Sequence, residues 1–137
     1  MADAPSVLNY IDTAFGVATF LISERLPATI ENIRAFFVGR RQEVPAGFRL
    51  EDVQQLIALL IIDPDLLSDL MDSVRRAADE YRTCLRNVQR PQERAACDRR
   101  AERDICDTLN RVRDRNGGDI PTDYLNDQWN SYGCIRV

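Results

Sequence analysis

Four cysteines constrain the fold of this chain more than any other feature. They stand at positions 84, 97, 106 and 134, and three pairings are open to four such residues. Cys84 lies six residues before Arg90, and Cys97 lies six residues after Pro91. Apolar side chains recur at spacings of three and four on both sides of that dipeptide, the period of an amphipathic helix. Before it come Leu67, Leu70, Met71, Val74, Ala77, Ala78, Tyr81, Cys84, Leu85 and Val88. After it come Ala95, Ala101, Ile105, Leu109 and Val112. Proline suits the first turn of a helix, so Pro91 opens a new helix. Two helices meeting at a tight corner run antiparallel, and equal distances from the corner set Cys84 beside Cys97 within disulfide reach.

A Cys97–Cys106 bridge is ruled out by helix geometry. Nine residues on one helix separate two positions by about 13 Å and half a turn, too far for a disulfide. Cys106 therefore occupies the opposite flank, where it meets the returning C-terminal segment through Cys134. The expected pairs are Cys84–Cys97 and Cys106–Cys134, each stabilising the chain by roughly 3 kcal/mol on the chain-entropy model. Zinc ligands come in closely spaced pairs and redox sites use Cys-x-x-Cys; neither spacing occurs. Free thiols packed as small hydrophobes are the competing reading. Disulfides place a chain of this size outside the cytosol.

The rest of the sequence is also helical in period, and alternating β-branched runs are lacking. The pattern predicts an all-α fold: a compact bundle of about five helices in a single domain, with a C-terminal tail, stapled by two disulfides. The helices are expected near residues 6–26, 28–39, 50–62, 64–90 and 91–116, and the tail, 117–137, is expected to be mostly irregular. Ser6 is the expected N-cap of the first helix, and Pro27 ends or kinks it. Asp63-Pro64 reads as an N-cap followed by a first-turn proline, and Gly117-Gly118 as a helix stop. Residues 56–62 are apolar nearly all round, which points to the third helix as the buried centre. Residues 14–22 and 56–62 are the most apolar runs, and both are short for a bilayer span. The opening Met1-Ala2-Asp3-Ala4-Pro5 lacks the basic flank and apolar stretch of a cleavable signal, which fits a mature secreted chain with an added start methionine and equally an ordinary cytosolic start, leaving the cysteines to decide.

Composition narrows the chemistry. Apolar residues make 45% and charged residues 29% of the chain, near the globular norm and away from disorder. Histidine is absent, and all 18 basic residues are arginine. A chain without histidine has no Ser-His-Asp triad, no Cys-His dyad and no imidazole ligand. Ser23, Ser68 and Ser73 have no base to activate them. The acids at Asp63, Asp65, Asp69 and Asp72 read as a cap and as favourable charges at a helix N-terminus, without the spacing of a calcium loop. No glycine-rich phosphate loop occurs. The expectation is a chain that is not an enzyme, with no catalytic residue, no metal and no cofactor.

What remains is binding. Net charge is −4, but residues 75–115 carry 12 arginines against 8 acids. That stretch is a candidate contact for a polyanion, although its arginines alternate with Arg94-neighbouring acids (Asp98, Glu102, Asp104, Asp107) as on a helix carrying its own ion pairs. Nucleic acid and membrane are not expected partners. Arg, Tyr and Trp anchor protein interfaces more than other residues. The candidate partner-binding residues are Arg99, Arg100 and Arg103 on the fifth helix and Tyr124, Trp129 and Tyr132 in the tail. An interior site lined by Phe15, Phe20, Phe36, Phe37, Phe48 and residues 56–62, holding a small hydrophobic ligand, is the alternative to their simply packing together.

A small helical chain with four cysteines, Cys84, Cys97, Cys106 and Cys134, all in its last 54 residues, and an Ala-Asp-Ala-Pro start resembles a family of salivary inhibitors of Anopheles mosquitoes, the one that includes albicin and anophensin. The likeness is one of architecture, length and cysteine placement, and transfers no functional residue. It implies a protein secreted in saliva for blood feeding and immune evasion. Such a protein binds and blocks a host plasma protein complex. For albicin-like members this is the alternative-pathway complement convertase; for anophensin-like members it is the kallikrein–kinin contact pathway.

Overall fold

A computed structural model describes residues 2–135. Six helices follow one another: α1 Ala4–Glu24, α2 Ile30–Arg40, α3 Leu50–Ile62, α4 Pro64–Arg86, α5 Pro91–Arg115 and α6 Asp123–Ser131, with no strand among the described residues. The fold is all-α, as the apolar period predicts.

Local chemistry sets the boundaries. Asp63 ends α3 and caps α4: its Oδ1 accepts from Leu66 N at 3.1 Å, and Pro64 occupies the first helical position. Thr29 and Thr122 cap α2 and α6 in the same way. The first helix begins earlier than expected. Asp3, not Ser6, is its N-cap, and Ser6 N donates to Asp3 Oδ1 at 2.9 Å. Pro5 in the first turn is the local signal for that start. The expected ends at residues 26 and 90 retreat to Glu24 and Arg86. Arg25 and Arg41 close α1 and α2 in the left-handed region, at φ 57° and 51°, and the following amides reach back to Leu21 and Phe37 carbonyls.

The centre of the bundle is α1, which packs against α2, α3, α4 and α5. This corrects the expectation that α3 is central. A helix surrounded on several sides needs apolar or small residues around most of its girth. Accordingly α1 buries Val7, Tyr10, Ala14, Val17, Ala18 and Leu21 together. By length and composition alone α1 is long and apolar enough to cross a membrane, against the expectation that no span is; its apolar surface is spent on the four neighbouring helices. The third helix is one-sided instead. It buries Val53, Leu56, Ile57 and Leu60, while Ile62 at its end is 81% exposed.

Helices α4 and α5 form the antiparallel hairpin, the most extensively packed pair in the molecule. Val74, Ala77 and Tyr81 of α4 and Ala101, Ile105 and Leu109 of α5 belong to one continuous core. Both disulfides form as expected. Cys84–Cys97 spans 5.8 Å between Cα atoms across the hairpin, and Cys106–Cys134 spans 5.1 Å from α5 to the C-terminal segment. No free cysteine remains. Two disulfides are bonds of an oxidising, extracellular-type compartment.

The tail is the main correction. Residues 123–131 are helical, not irregular. Thr122 caps this helix, and Leu125 and Gln128 are buried on its inner side. Asp52 of α3 reinforces the start, its carboxylate accepting from Asp123 N at 2.7 Å and Tyr124 N at 3.2 Å. A carboxylate at a helix N-terminus satisfies otherwise orphaned donors and opposes the dipole. Tyr124 then stacks on Tyr10 of α1, ring centroids 4.2 Å apart. Gly47 makes room for this: at φ +80°, an added Cβ there would lie 2.3 Å from the Tyr124 ring.

Candidate functional site

Between its two disulfides, α5 carries Arg99, Arg100 and Arg103. Cys97 ties one end of this segment to α4, and Cys106 ties the other to the C-terminal segment. Ala101 and Ile105 bury the opposite side of the same turns. The three arginines are consequently exposed on backbone that is anchored both covalently and by packing. They line a groove of about 700 Å³, whose walls also include Glu102, Asp107, Tyr132 and Ile135, with Cys106–Cys134 contributing both of its cysteines.

Among the described residues none of these arginines makes an ion pair, Arg103 and Arg100 acting on Asp104 only at longer range. Among the described residues the ion pairs are Arg49–Asp123, Arg82–Asp79 and Arg115–Asp63, and Arg99, Arg100 and Arg103 make neither an ion pair nor a hydrogen bond. The expectation of helices carrying their own ion pairs is met by Arg82–Asp79 on α4 but not by these three arginines, which form none among the described residues. Orientation explains it. Arg94–Asp98, Arg100–Asp104 and Arg103–Asp107 are spaced i,i+4 with the cation first, the weaker direction for such pairs. Asp98 turns inward and accepts from the Tyr81 hydroxyl at 2.5 Å. Asp104 is partly covered between α4 and α5; burial, then Glu80 and Asp107, holds its carboxyl above the ordinary range, with Arg103 and Arg100 opposing.

The aromatic members of the expected surface have structural duties. Tyr124 is stacked on Tyr10. Trp129 is half-buried; its Nε1 donates to Asn110 Oδ1 at 2.9 Å, and Arg113 lies over its ring. Tyr132 donates to the Ala2 carbonyl at 2.5 Å and still borders the groove. The six candidates therefore separate. Arg99, Arg100, Arg103 and Tyr132 come together, while Tyr124 and Trp129 fasten α6 to the bundle. Ile135, which sequence reading passed over, joins the groove at 64% exposure. Its signal was adjacency to Cys134, since a disulfide to α5 fixes whatever follows it in sequence beside that helix.

The phenylalanines pack on one another. Phe20 meets Phe36, Phe36 meets Phe37, Phe37 meets Phe48 and Phe48 meets Tyr10, at centroid distances from 5.0 to 5.8 Å with edge-to-face geometry. Such contacts are favourable in themselves, and an interior ligand would have to part them. Among the described residues no group of three or more metal-binding side chains converges. The groove offers exposed guanidinium forks beside apolar surface, which is equipment for recognising anionic groups on another molecule. No family model, curated protein or solved structure matches this chain.

Proposed function

We propose that this chain is a secreted inhibitor without catalytic activity of its own, which docks by its α5 face onto a host plasma protein assembly, the alternative-pathway complement convertase. The observation that supports it is the Arg99–Arg100–Arg103 segment, exposed, without an ion pair among the described residues, and anchored between two disulfides. Backbone already fixed in place adds little to the ordering cost of docking, which is then confined to the side chains, and arginine is among the commonest energetic anchors of interfaces. The absence of histidine leaves general acid–base chemistry near neutral pH without its usual residue. The choice of complement, and of saliva as the source, rests on the likeness in architecture and cysteine placement to the Anopheles inhibitors. Inhibition is then steric, or works by holding an assembly in one state.

The test is alternative-pathway lysis of erythrocytes in serum with micromolar protein. The proposal expects delayed lysis and no cleavage of complement components by the chain itself. A lysis curve that overlays the buffer control refutes it.

A further inference from the structure

We infer that the groove beside α5 recognises an acidic segment of a protein partner that also carries an apolar side chain. This rests on the docking role proposed above and specifies its chemistry. Three features of the groove carry it. First, Arg99 and Arg103 stand one helical turn apart, about 6 Å along the axis, with Arg100 beside them, and among the described residues none is engaged in an ion pair, Asp104 acting on Arg100 and Arg103 only at longer range. Guanidinium forks match carboxylates in bidentate fashion, so the groove is complementary to two or three spaced acids. Second, Ile135, 64% exposed, lies on the same groove together with the Cys106–Cys134 bridge. That apolar surface has nothing to offer a wholly charged chain. Third, Glu102 and Asp107 share the walls with the arginines. A uniformly sulfated glycan would meet two carboxylates at close range, where like charges repel. A peptide with spaced acids places its own charges on the arginines and its apolar side chain on Ile135. The volume of about 700 Å³ suits a few side chains, within the ordinary range of ligand clefts.

The experiment is a titration of the ¹⁵N-labelled intact, oxidised protein followed by amide shifts. The probes are three short synthetic peptides of equal length, built from Glu and Leu, from Gln and Leu, and from Glu and Gly, together with a heparin-derived oligosaccharide. The Glu-Leu peptide is expected to shift amides of residues 96–107 and 132–135 and to bind at least about ten-fold more tightly than either other peptide. The triple variant R99Q/R100Q/R103Q should lose this binding while keeping its far-UV circular dichroism, and Ile135→Ser should weaken it several-fold. A control R75Q/R76Q variant should bind as the parent does. Equal binding by the triple variant, shifts confined to other helices, or tighter binding of the oligosaccharide at the same residues each overturns the inference. Delayed lysis without peptide binding would sink only this inference; peptide binding with unaltered lysis would sink only the complement reading.

Discussion

Removing Cys106–Cys134 tests how much of this fold depends on covalent closure. The perturbation is Cys106→Ala with Cys134→Ala, alanine being chosen because Cys134 is buried and a serine hydroxyl there would need a partner. The bridge joins residues 28 apart, and Cys84–Cys97 joins residues 13 apart. On the chain-entropy model, loops of those lengths correspond to about 3.6 and about 2.9 kcal/mol at 25 °C. Unfolding entropy near the midpoint amounts to about 0.29 kcal/mol per kelvin for a chain of this length. The longer loop is thus worth a Tm loss of about 12 °C. The variant should still fold, because Asp52 continues to cap α6 and Tyr124 continues to stack on Tyr10. Guanidinium titration followed by circular dichroism measures the change in ΔG, with the matching Cys84→Ala, Cys97→Ala variant alongside. A loss below about 1 kcal/mol, or a larger loss for the shorter loop at equal m-value, refutes the entropic reasoning.

Other predictions follow from particular contacts. Tyr10 is wholly buried, and its hydroxyl approaches the Thr122 side chain without forming a well-aligned hydrogen bond, so Tyr10→Phe should be neutral or stabilising by about 1 kcal/mol in the same titration. Gly47→Ala should destabilise by about 2 kcal/mol or more, since it adds strain at a positive φ and drives a Cβ into Tyr124. Arg41→Gly should raise stability by about 0.5–1 kcal/mol, because glycine accepts the left-handed φ of 51° without steric cost. Burial, and then the hydrogen bond to Asp98, pushes the Tyr81 hydroxyl up from 10.0 to about 12. Its proton is held more tightly in the folded chain, so its contribution is full below pH 10 and lost as pH rises towards about 12. Melting curves across that window should fall, and Tyr81→Phe should make the fall shallower without removing it, because burial also raises the Tyr10, Tyr124 and Tyr132 hydroxyls.

Much of the bundle was written in punctuation. Asp63-Pro64 and Arg90-Pro91 fix where α4 and α5 begin, and the equal spacing of Cys84 and Cys97 about the second corner fixes the hairpin and its staple. Apolar period reveals how much of a helix needs covering, but not what covers it. Residues 56–62 are more continuously apolar than α1, yet α1 is the helix surrounded by four neighbours, and Ile62 is left outside. Helix α6 escaped notice because it is nine residues long, too short to be stable alone. Its support comes from Asp52, 71 residues away in sequence. Its local signs were the Thr122 cap and the spacing of Leu125, Gln128, Trp129 and Tyr132. The arginine groove was half legible. Exposure of Arg99, Arg100 and Arg103 follows from the buried stripe on the far side of α5, whereas the withdrawal of Asp104, the i,i+4 partner of Arg100, into partial burial beside Glu80 depends on the packing of α4. The inward duties of Tyr124 and Trp129 depend on Tyr10 and Asn110, distant partners that no local pattern announces.

The most direct measurement compares native protein with R99Q/R100Q/R103Q in serum-driven erythrocyte lysis through the alternative pathway. The native chain should delay lysis, and the triple variant should need at least about ten-fold more protein for the same delay while melting at an unchanged temperature. Equal potency of the two would contradict docking through α5, and a native chain that delays nothing would contradict the complement reading.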